Sequence, residues 1–135
     1  MKASVQWVGE ETFLVTSESG HRVVMDGNQG ATAPSPMEMV LLAAGSCSSV
    51  DVVGILKKAR QRVDDCRVEL SAERAEGPPA VFTRIHMHFI VSGKDVSDKH
   101  VERAVRLSAD KYCSVSIMLG HSVKVSHDYE VVETD

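Results

Sequence analysis

The chain has 135 residues, a length typical of one domain, and we predict a single domain over residues 1–135. Its composition, 43% apolar and 25% charged, excludes intrinsic disorder. A net charge of −4 and a total of one Trp, two Tyr and three Phe provide neither a basic surface nor a platform for stacking bases. We therefore expect neither nucleic acid nor an anionic membrane as a partner.

The N-terminal segment lacks the continuous apolar stretch of a signal peptide, and the longest apolar run, residues 39–45, is too short to cross a bilayer. We expect a cytoplasmic protein. Its three cysteines, Cys47, Cys66 and Cys113, form no C-x-x-C pair and have no histidine at zinc-finger spacing. An odd count in a reducing compartment argues against a disulfide scaffold, and we expect no metal and no cofactor.

Residues 3–25 have the pattern of a three-stranded antiparallel meander. Ala3, Val5 and Trp7 alternate with polar neighbours, and residues 12–16 and 21–25 follow as two further strands. An irregular loop over residues 26–34 then leads to a helix. The loop is either a simple connector or part of a site.

The helix spans residues 35–60. Ser35, Pro36 and Glu38 form a capping box with proline at the first helical position. No charge appears before Asp51, so we predict a helix that is buried on all faces. Its last turn, residues 57–62, is cationic and suits the negative end of the helix dipole.

Two strands follow the helix. Cys66 shares an apolar face with Val68 and Leu70, which makes it a core residue of the first strand. The second strand, residues 80–92, carries His86 and His88 on one face. Two strand histidines without a third ligand nearby are better read as exposed side chains than as a metal site.

A second helix begins at Ser97 and continues to Tyr112, residues 115–120 form a short helical turn, and residues 122–133 form the last strand. The resulting order is β-β-β-α-β-β-α-β. We predict the α+β class, with a long buried central helix against an antiparallel sheet.

The local sequence predicts that two of the cysteines differ in how readily they form a thiolate. Cys47 lies in the middle of a helix, where burial and the nearby Asp51 both oppose formation of a thiolate. Cys113 lies at a break between helices, where free N–H groups of the next turn could face its sulfur and lower its pKa. From the residues alone, a catalytic cysteine pair and an inert core thiol both remain open.

Two segments carry a family resemblance. Residues 36–47, PMEMVLLAAGSC, resemble the helix motif of the OsmC/Ohr family, the osmotically induced and organic-hydroperoxide-resistance proteins. Residues 111–116, KYCSVS, resemble the family's second motif, a cysteine followed by a small residue and then serine. Both motifs occur in the right order, and the likeness extends over essentially the whole chain. The resemblance implies an OsmC-like fold and an intertwined homodimer.

The resemblance also implies roles for these residues. Cys47 would attack a hydroperoxide and become a sulfenic acid, and Cys113 would condense with it to a disulfide that a dithiol reductant reopens. The expected substrates are organic hydroperoxides. Their binding pocket would be lined by Met37, Met39, Leu41 and Met118, although core packing explains these side chains equally well.

The chain departs from the family pattern at the device that activates the first cysteine. Hydroperoxide reductases of the family pair an Arg with the Glu directly after the motif proline, but Met37 follows Pro36 here. Glu38 stands one place later, about 100° around the helix, where it serves as a cap. Residues 23–34 contain no Arg or Lys, and Arg22 is the nearest cation. A non-enzymatic small-molecule-binding protein and a slow redox sensor therefore remain as alternatives to a thiol-dependent peroxidase.

Overall fold

A computed structural model describes residues 1–135. The chain divides into two compact units, Met1–Leu42 and Ala43–Asp135, which are described in turn. The prediction of a single domain remains a prediction.

The first unit begins with the predicted meander. β1 (Ala3–Gly9), β2 (Thr12–Ser17) and β3 (Arg22–Asp26) form an antiparallel sheet in the order β1-β2-β3. Ala3 pairs with Ser17, and Phe13 pairs with Met25. β1 is exposed along most of its length, although its alternating pattern predicts a half-buried strand.

The loop after β3 is organised by Asp26. This nearly buried carboxylate accepts hydrogen bonds from the Asn28 N–H at 2.7 Å and from the Thr32 N–H at 3.0 Å. It also accepts one from the Thr32 hydroxyl at 2.5 Å. Hydrogen bonds from Thr32 and Asn28 lower the pKa of Asp26, so the ionised carboxylate holds the loop.

The capping box is confirmed at the start of α1 (Pro36–Lys58). The Glu38 N–H donates to the Ser35 hydroxyl at 3.2 Å, and the Glu38 carboxylate accepts from the Ser35 N–H at 3.0 Å. These reciprocal bonds satisfy two backbone donors at the helix start. The carboxylate of Glu38 is thus occupied by its own helix. Arg22, on β3, forms no ion pair with it.

The second unit contains the other sheet. β4 (Arg62–Arg74) pairs antiparallel with β5 (Phe82–Lys94), but β6 (Lys124–Glu133) lies parallel to β5. The prediction of a purely antiparallel sheet is therefore wrong for this pair. The helices between β5 and β6 carry the chain back along the sheet, and such a crossover returns the next strand in the same direction.

Within the second unit, α1 packs one stripe of small and apolar side chains against the sheet. A Cβ at Gly45 would lie 2.7 Å from Leu70 Cδ1, which shows how closely the helix approaches β4. The buried residues of α1 are Ala44, Gly45, Ser48, Val52 and Leu56. The prediction that α1 is buried on all faces is wrong for the isolated chain, in which Val50 is 73% exposed. By length and composition alone, α1 also qualifies as a membrane-spanning helix, a test that core helices of soluble proteins pass as well.

The segment between β5 and β6 is helical. α2 (Asp98–Leu107) continues into a π-helical turn, Ser108–Tyr112, and after Cys113 the short helix α3 (Ser114–Leu119) begins. The predicted break at Cys113 is confirmed. Besides residues of α1, the core of the unit contains Phe82, Ile85, Met87, Phe89, Val91, Val101, Ala104, Val105, Cys113 and Val123. The α+β class and the element order agree with the sequence prediction.

Candidate functional site

The second unit brings Cys47 and Cys113 together. α1 carries Cys47, which is half-buried, and the next residue, Ser48, is buried. Cys113 stands at the break before α3 and is fully buried. The backbone N–H of Cys113 donates to the Ser108 carbonyl at 2.8 Å, which fixes the break. The Cys113 sulfur lies 3.2 Å from the Ser48 hydroxyl and 4.0 Å from the Ala44 carbonyl oxygen, so it packs against the turn of α1 that carries Cys47.

Hydroxyl and amide groups surround the sulfur of Cys113. The Ser48 hydroxyl lies 3.2 Å from this Sγ, and the Ser116 hydroxyl lies 3.1 Å from it. The two hydroxyls are 3.3 Å apart. The Ser116 N–H also donates to the sulfur at 3.4 Å, in the position of an N-cap hydrogen bond. The arrangement can solvate a thiolate without bulk water.

The two thiols differ in acidity. Burial alone would raise the pKa of Cys113, but hydrogen bonds with Ser116 and Ser48 outweigh it, and the net shift is downward. Burial raises the pKa of Cys47, the neighbouring Cys113 and Asp51 raise it further, and a hydrogen bond from the Val115 N–H only partly offsets them. The thiolate of the pair is therefore favoured at Cys113.

Hydrogen bonds also link α1 to the π-helical turn at Ser108. The Ser108 hydroxyl donates to the Asp51 carboxylate at 3.0 Å and lies 3.4 Å from the Ser48 carbonyl oxygen. Asp51 is thereby held toward the π-helical turn. The negative charge of this carboxylate contributes to the raised pKa of Cys47.

The predicted substrate-binding residues lie on two different helices. Met37, Met39 and Leu41 lie half-buried at the start of α1, in the first unit. Met118, on α3, is 63% exposed. Their assignment to a substrate pocket remains a prediction.

A cavity of about 490 Å³ lies elsewhere in the second unit, beside the later turns of α1. Its wall is mostly apolar, with Asp51, Lys58 and Arg103 as the charged groups, and it is completed by Val50, Gly54, Ile55, Ala59, Leu107 and Tyr112. Neither cysteine lines it. Sequence reasoning did not identify this cavity.

The remaining candidate residues are Cys66 on β4 and two histidines, His86 and His88, on β5. Cys66 is half-buried on β4, and burial raises its pKa, as expected for a core thiol. His86 donates to or accepts from Ser126 at 2.7 Å, and both histidines contact Asp128, at 3.0 Å from His86 and 2.7 Å from His88.

Sequence reasoning missed the two serines around Cys113. Ser116 stands three residues after an N-cap position, so the capping pattern could have identified its N–H as a partner of the sulfur. Ser48 carries no such signal, because its contact with Cys113 spans 65 residues.

Comparison with known proteins supports one family. A family model described as OsmC-like protein matches residues 27–128. The chain is 59% identical over 132 residues to protein YhfA of Escherichia coli strain K12, covering 98% of each chain. A solved structure of a hypothetical protein from Aquifex aeolicus VF5 is 34% identical, with a TM-score of 0.90 over 99% of this chain and 97% of its own. An organic hydroperoxide resistance protein OsmC from Legionella pneumophila, 16% identical, shares the fold with a TM-score of 0.72 over 96% of each chain.

Proposed function

Because the chain belongs to the OsmC-like family, we propose that it is a thiol-dependent redox protein that reduces organic hydroperoxides through Cys47 and Cys113. The observation that supports this proposal most directly is the position of the Cys113 sulfur, which lies against the turn of α1 that carries Cys47 and is surrounded by donors that favour a thiolate. Cys66 has neither feature.

The proposed reaction has two steps. The sulfur of Cys47 attacks the O–O bond, the alcohol leaves, and Cys47 becomes a sulfenic acid. Cys113 then attacks this sulfenic acid, water leaves, and a disulfide forms. A dithiol reductant restores both thiols by exchange, as a cytoplasmic reducing pool would allow. Met37, Met39, Leu41 and Met118 are the proposed contacts for the alkyl group of the substrate, and the protein is proposed to act as a homodimer without a cofactor.

The test is consumption of cumene hydroperoxide in the presence of a dithiol. Cys47→Ser removes the attacking sulfur and should abolish turnover, and Cys113→Ser should abolish it because no disulfide can form. Cys66→Ser is the matched control and should keep the wild-type rate. Turnover that persists in both Cys47→Ser and Cys113→Ser would contradict the proposal.

The cavity beside α1 favours a second candidate, a non-enzymatic protein that binds a small apolar molecule. About 490 Å³ is the size range of small-molecule sites, and Lys58 and Arg103 could hold an anionic group. A slow redox sensor is the third candidate, since its disulfide would form without rapid turnover. Absence of peroxide consumption in the wild-type protein, with both thiols intact, would favour the binding protein.

A further inference from the structure

The cavity of about 490 Å³ beside α1 lies outside the cysteine chemistry, because neither Cys47 nor Cys113 lines it. We propose that it binds a small carboxylate with an extended apolar chain, and that Lys58 and Arg103 hold the carboxylate group. The inference names the ligand class for the second candidate function. It rests on that binding function and not on the peroxide reaction.

One face of α1 forms the first wall of the cavity. Val50, Gly54 and Lys58 all line it and follow one another at intervals of four residues, so they share one side of the helix. At about 1.5 Å per residue, the wall from Val50 to Lys58 extends about 12 Å along the helix axis. This wall can therefore accommodate an extended aliphatic chain such as that of octanoate, and it ends at a cation.

The cavity reaches the backbone of α1 at Gly54. A Cβ at this position would have no neighbouring heavy atom within 4 Å, whereas a Cβ at Gly45 would meet Leu70 Cδ1 at 2.7 Å. The space beside Gly54 is therefore open. An apolar chain can lie there against the helix and the neighbouring Val50 and Ile55, where it is removed from water.

The second wall of the cavity depends on the π-helical turn, residues 108–112. Arg103, Leu107 and Tyr112 line this wall, at intervals of four and then five residues. In a regular α-helix the residue one turn after Leu107 on this face would be Lys111. The wider π-helical turn places Tyr112 there instead, so the wall carries an aromatic ring where a regular helix would carry a lysine.

Lys58 and Arg103 provide the charge for a carboxylate. They belong to different helices, and neither takes part in an ion pair with the chain's own acidic residues. The acidic residue of the wall, Asp51, accepts a hydrogen bond from the Ser108 hydroxyl at 3.0 Å. It precedes Lys58 by about two helical turns. An ammonium and a guanidinium on one cavity wall favour an anionic head group.

Titration of the whole protein with sodium octanoate, monitored by backbone amide chemical shifts, tests the proposal. Octanoate should shift the amides that surround the cavity, including that of Gly54. It should also bind more tightly than octanol, which has the same chain without the charge. Gly54→Leu fills the open space and should abolish these shifts, whereas Gly54→Ala adds only a methyl group and should retain them.

Removal of each cation tests how the carboxylate is held. Lys58→Met and Arg103→Met should each weaken octanoate binding about two- to fivefold, as expected for exposed ion pairs, and should leave octanol binding unchanged. Lys57→Met is the matched control, because Lys57 is a cation in the same helical turn that does not line the cavity. If Lys57→Met weakens octanoate binding as much as Lys58→Met, the assignment of the carboxylate to this cavity is wrong.

Three outcomes would overturn the proposal in distinguishable ways. Equal affinities for octanoate and octanol would leave an apolar binding site and remove the carboxylate. Absence of shifts with either compound would remove the binding function as well. If octanoate has no effect and Gly54→Leu instead changes the mass of the protein in sedimentation, a second copy of the chain occupies the cavity.

Consumption of cumene hydroperoxide is a separate measurement. A protein that consumes the hydroperoxide but does not bind octanoate would retain the redox function and contradict the carboxylate site. A protein that binds octanoate through Lys58 and Arg103 but leaves the hydroperoxide intact would retain the site and contradict the redox function.

Discussion

Asp128, on β6, contacts two histidines of the neighbouring strand β5, His86 and His88. One of its carboxylate oxygens lies 2.7 Å from His88 Nδ1 and 3.0 Å from His86 Nε2. The hydrogen bond to Asp128 raises the pKa of His88, and the hydrogen bond to His88 lowers the pKa of Asp128. Each charge therefore stabilises the other across the parallel strand pair.

The stability of this contact should depend on pH. Because the pKa of His88 is raised on folding, its contribution is complete below the ordinary value of 6.5 and is lost as pH rises through the folded pKa. Because the pKa of Asp128 is lowered, its contribution is complete above 3.8 and is lost as pH falls through the folded pKa. The contribution is thus largest between these two values.

Asp128→Asn should therefore reduce the free energy of unfolding more at pH 5 than at pH 8.5, as measured by urea unfolding. Glu69→Gln is the control, since its partner Arg67 stays charged at both values and the loss should be equal. Equal losses for Asp128→Asn at the two pH values would show that the pair does not act through its charge.

At the level of single residues, the sequence predicted interactions within a turn and missed those between distant segments. The Ser35–Glu38 cap and a free N–H facing Cys113 follow from positions three residues apart. The hydroxyl of Ser48 and the position of Asp128 between two histidines depend on how helices and strands pack. No local rule specifies such contacts.

At the level of elements, the two glycines of α1 lie in different surroundings. Gly45 faces β4, where a Cβ would meet Leu70 Cδ1 at 2.7 Å and Val68 Cγ1 at 3.3 Å. Gly54, on the same helix, has nothing within 4 Å of its Cβ position. One glycine is required for packing, and the other only weakens the helix.

Alanine substitutions at Gly45 and Gly54 form a matched comparison. Gly54→Ala should stabilise the protein by up to about 1 kcal/mol, because alanine favours the helix. Gly45→Ala gains the same preference but overpacks the helix against β4, which typically costs about 1–3 kcal/mol. Thermal or urea unfolding measures both. If Gly45→Ala is at least as stable as Gly54→Ala, the helix does not pack against β4 as described.

The positions of the elements along the chain were predictable, but their pairing was less so. Capping, alternation and turn residues located the strands and helices to within a few residues. The direction of β6 depends on a crossover through α2 and α3, and the exposed side of α1 depends on what covers it. Apolar composition alone cannot distinguish a helix buried by its own chain from one buried by a partner.

For the whole molecule, the exposed apolar surface of α1 supports the proposed homodimer. Val50 is 73% exposed in the single chain, and such surfaces are typical of contacts between subunits. We expect sedimentation to give twice the mass of one chain. Val50→Lys should shift the protein toward the monomer, and Val81→Lys, an exposed valine outside α1, should not. A wild-type mass equal to one chain at micromolar concentration would contradict the proposal.

If Cys47 and Cys113 act as one redox pair, peptide mapping after a single equivalent of cumene hydroperoxide will detect it. We expect the loss of two thiols per chain, a disulfide between Cys47 and Cys113, and a free Cys66. Survival of all three thiols in a large excess of the hydroperoxide would contradict it.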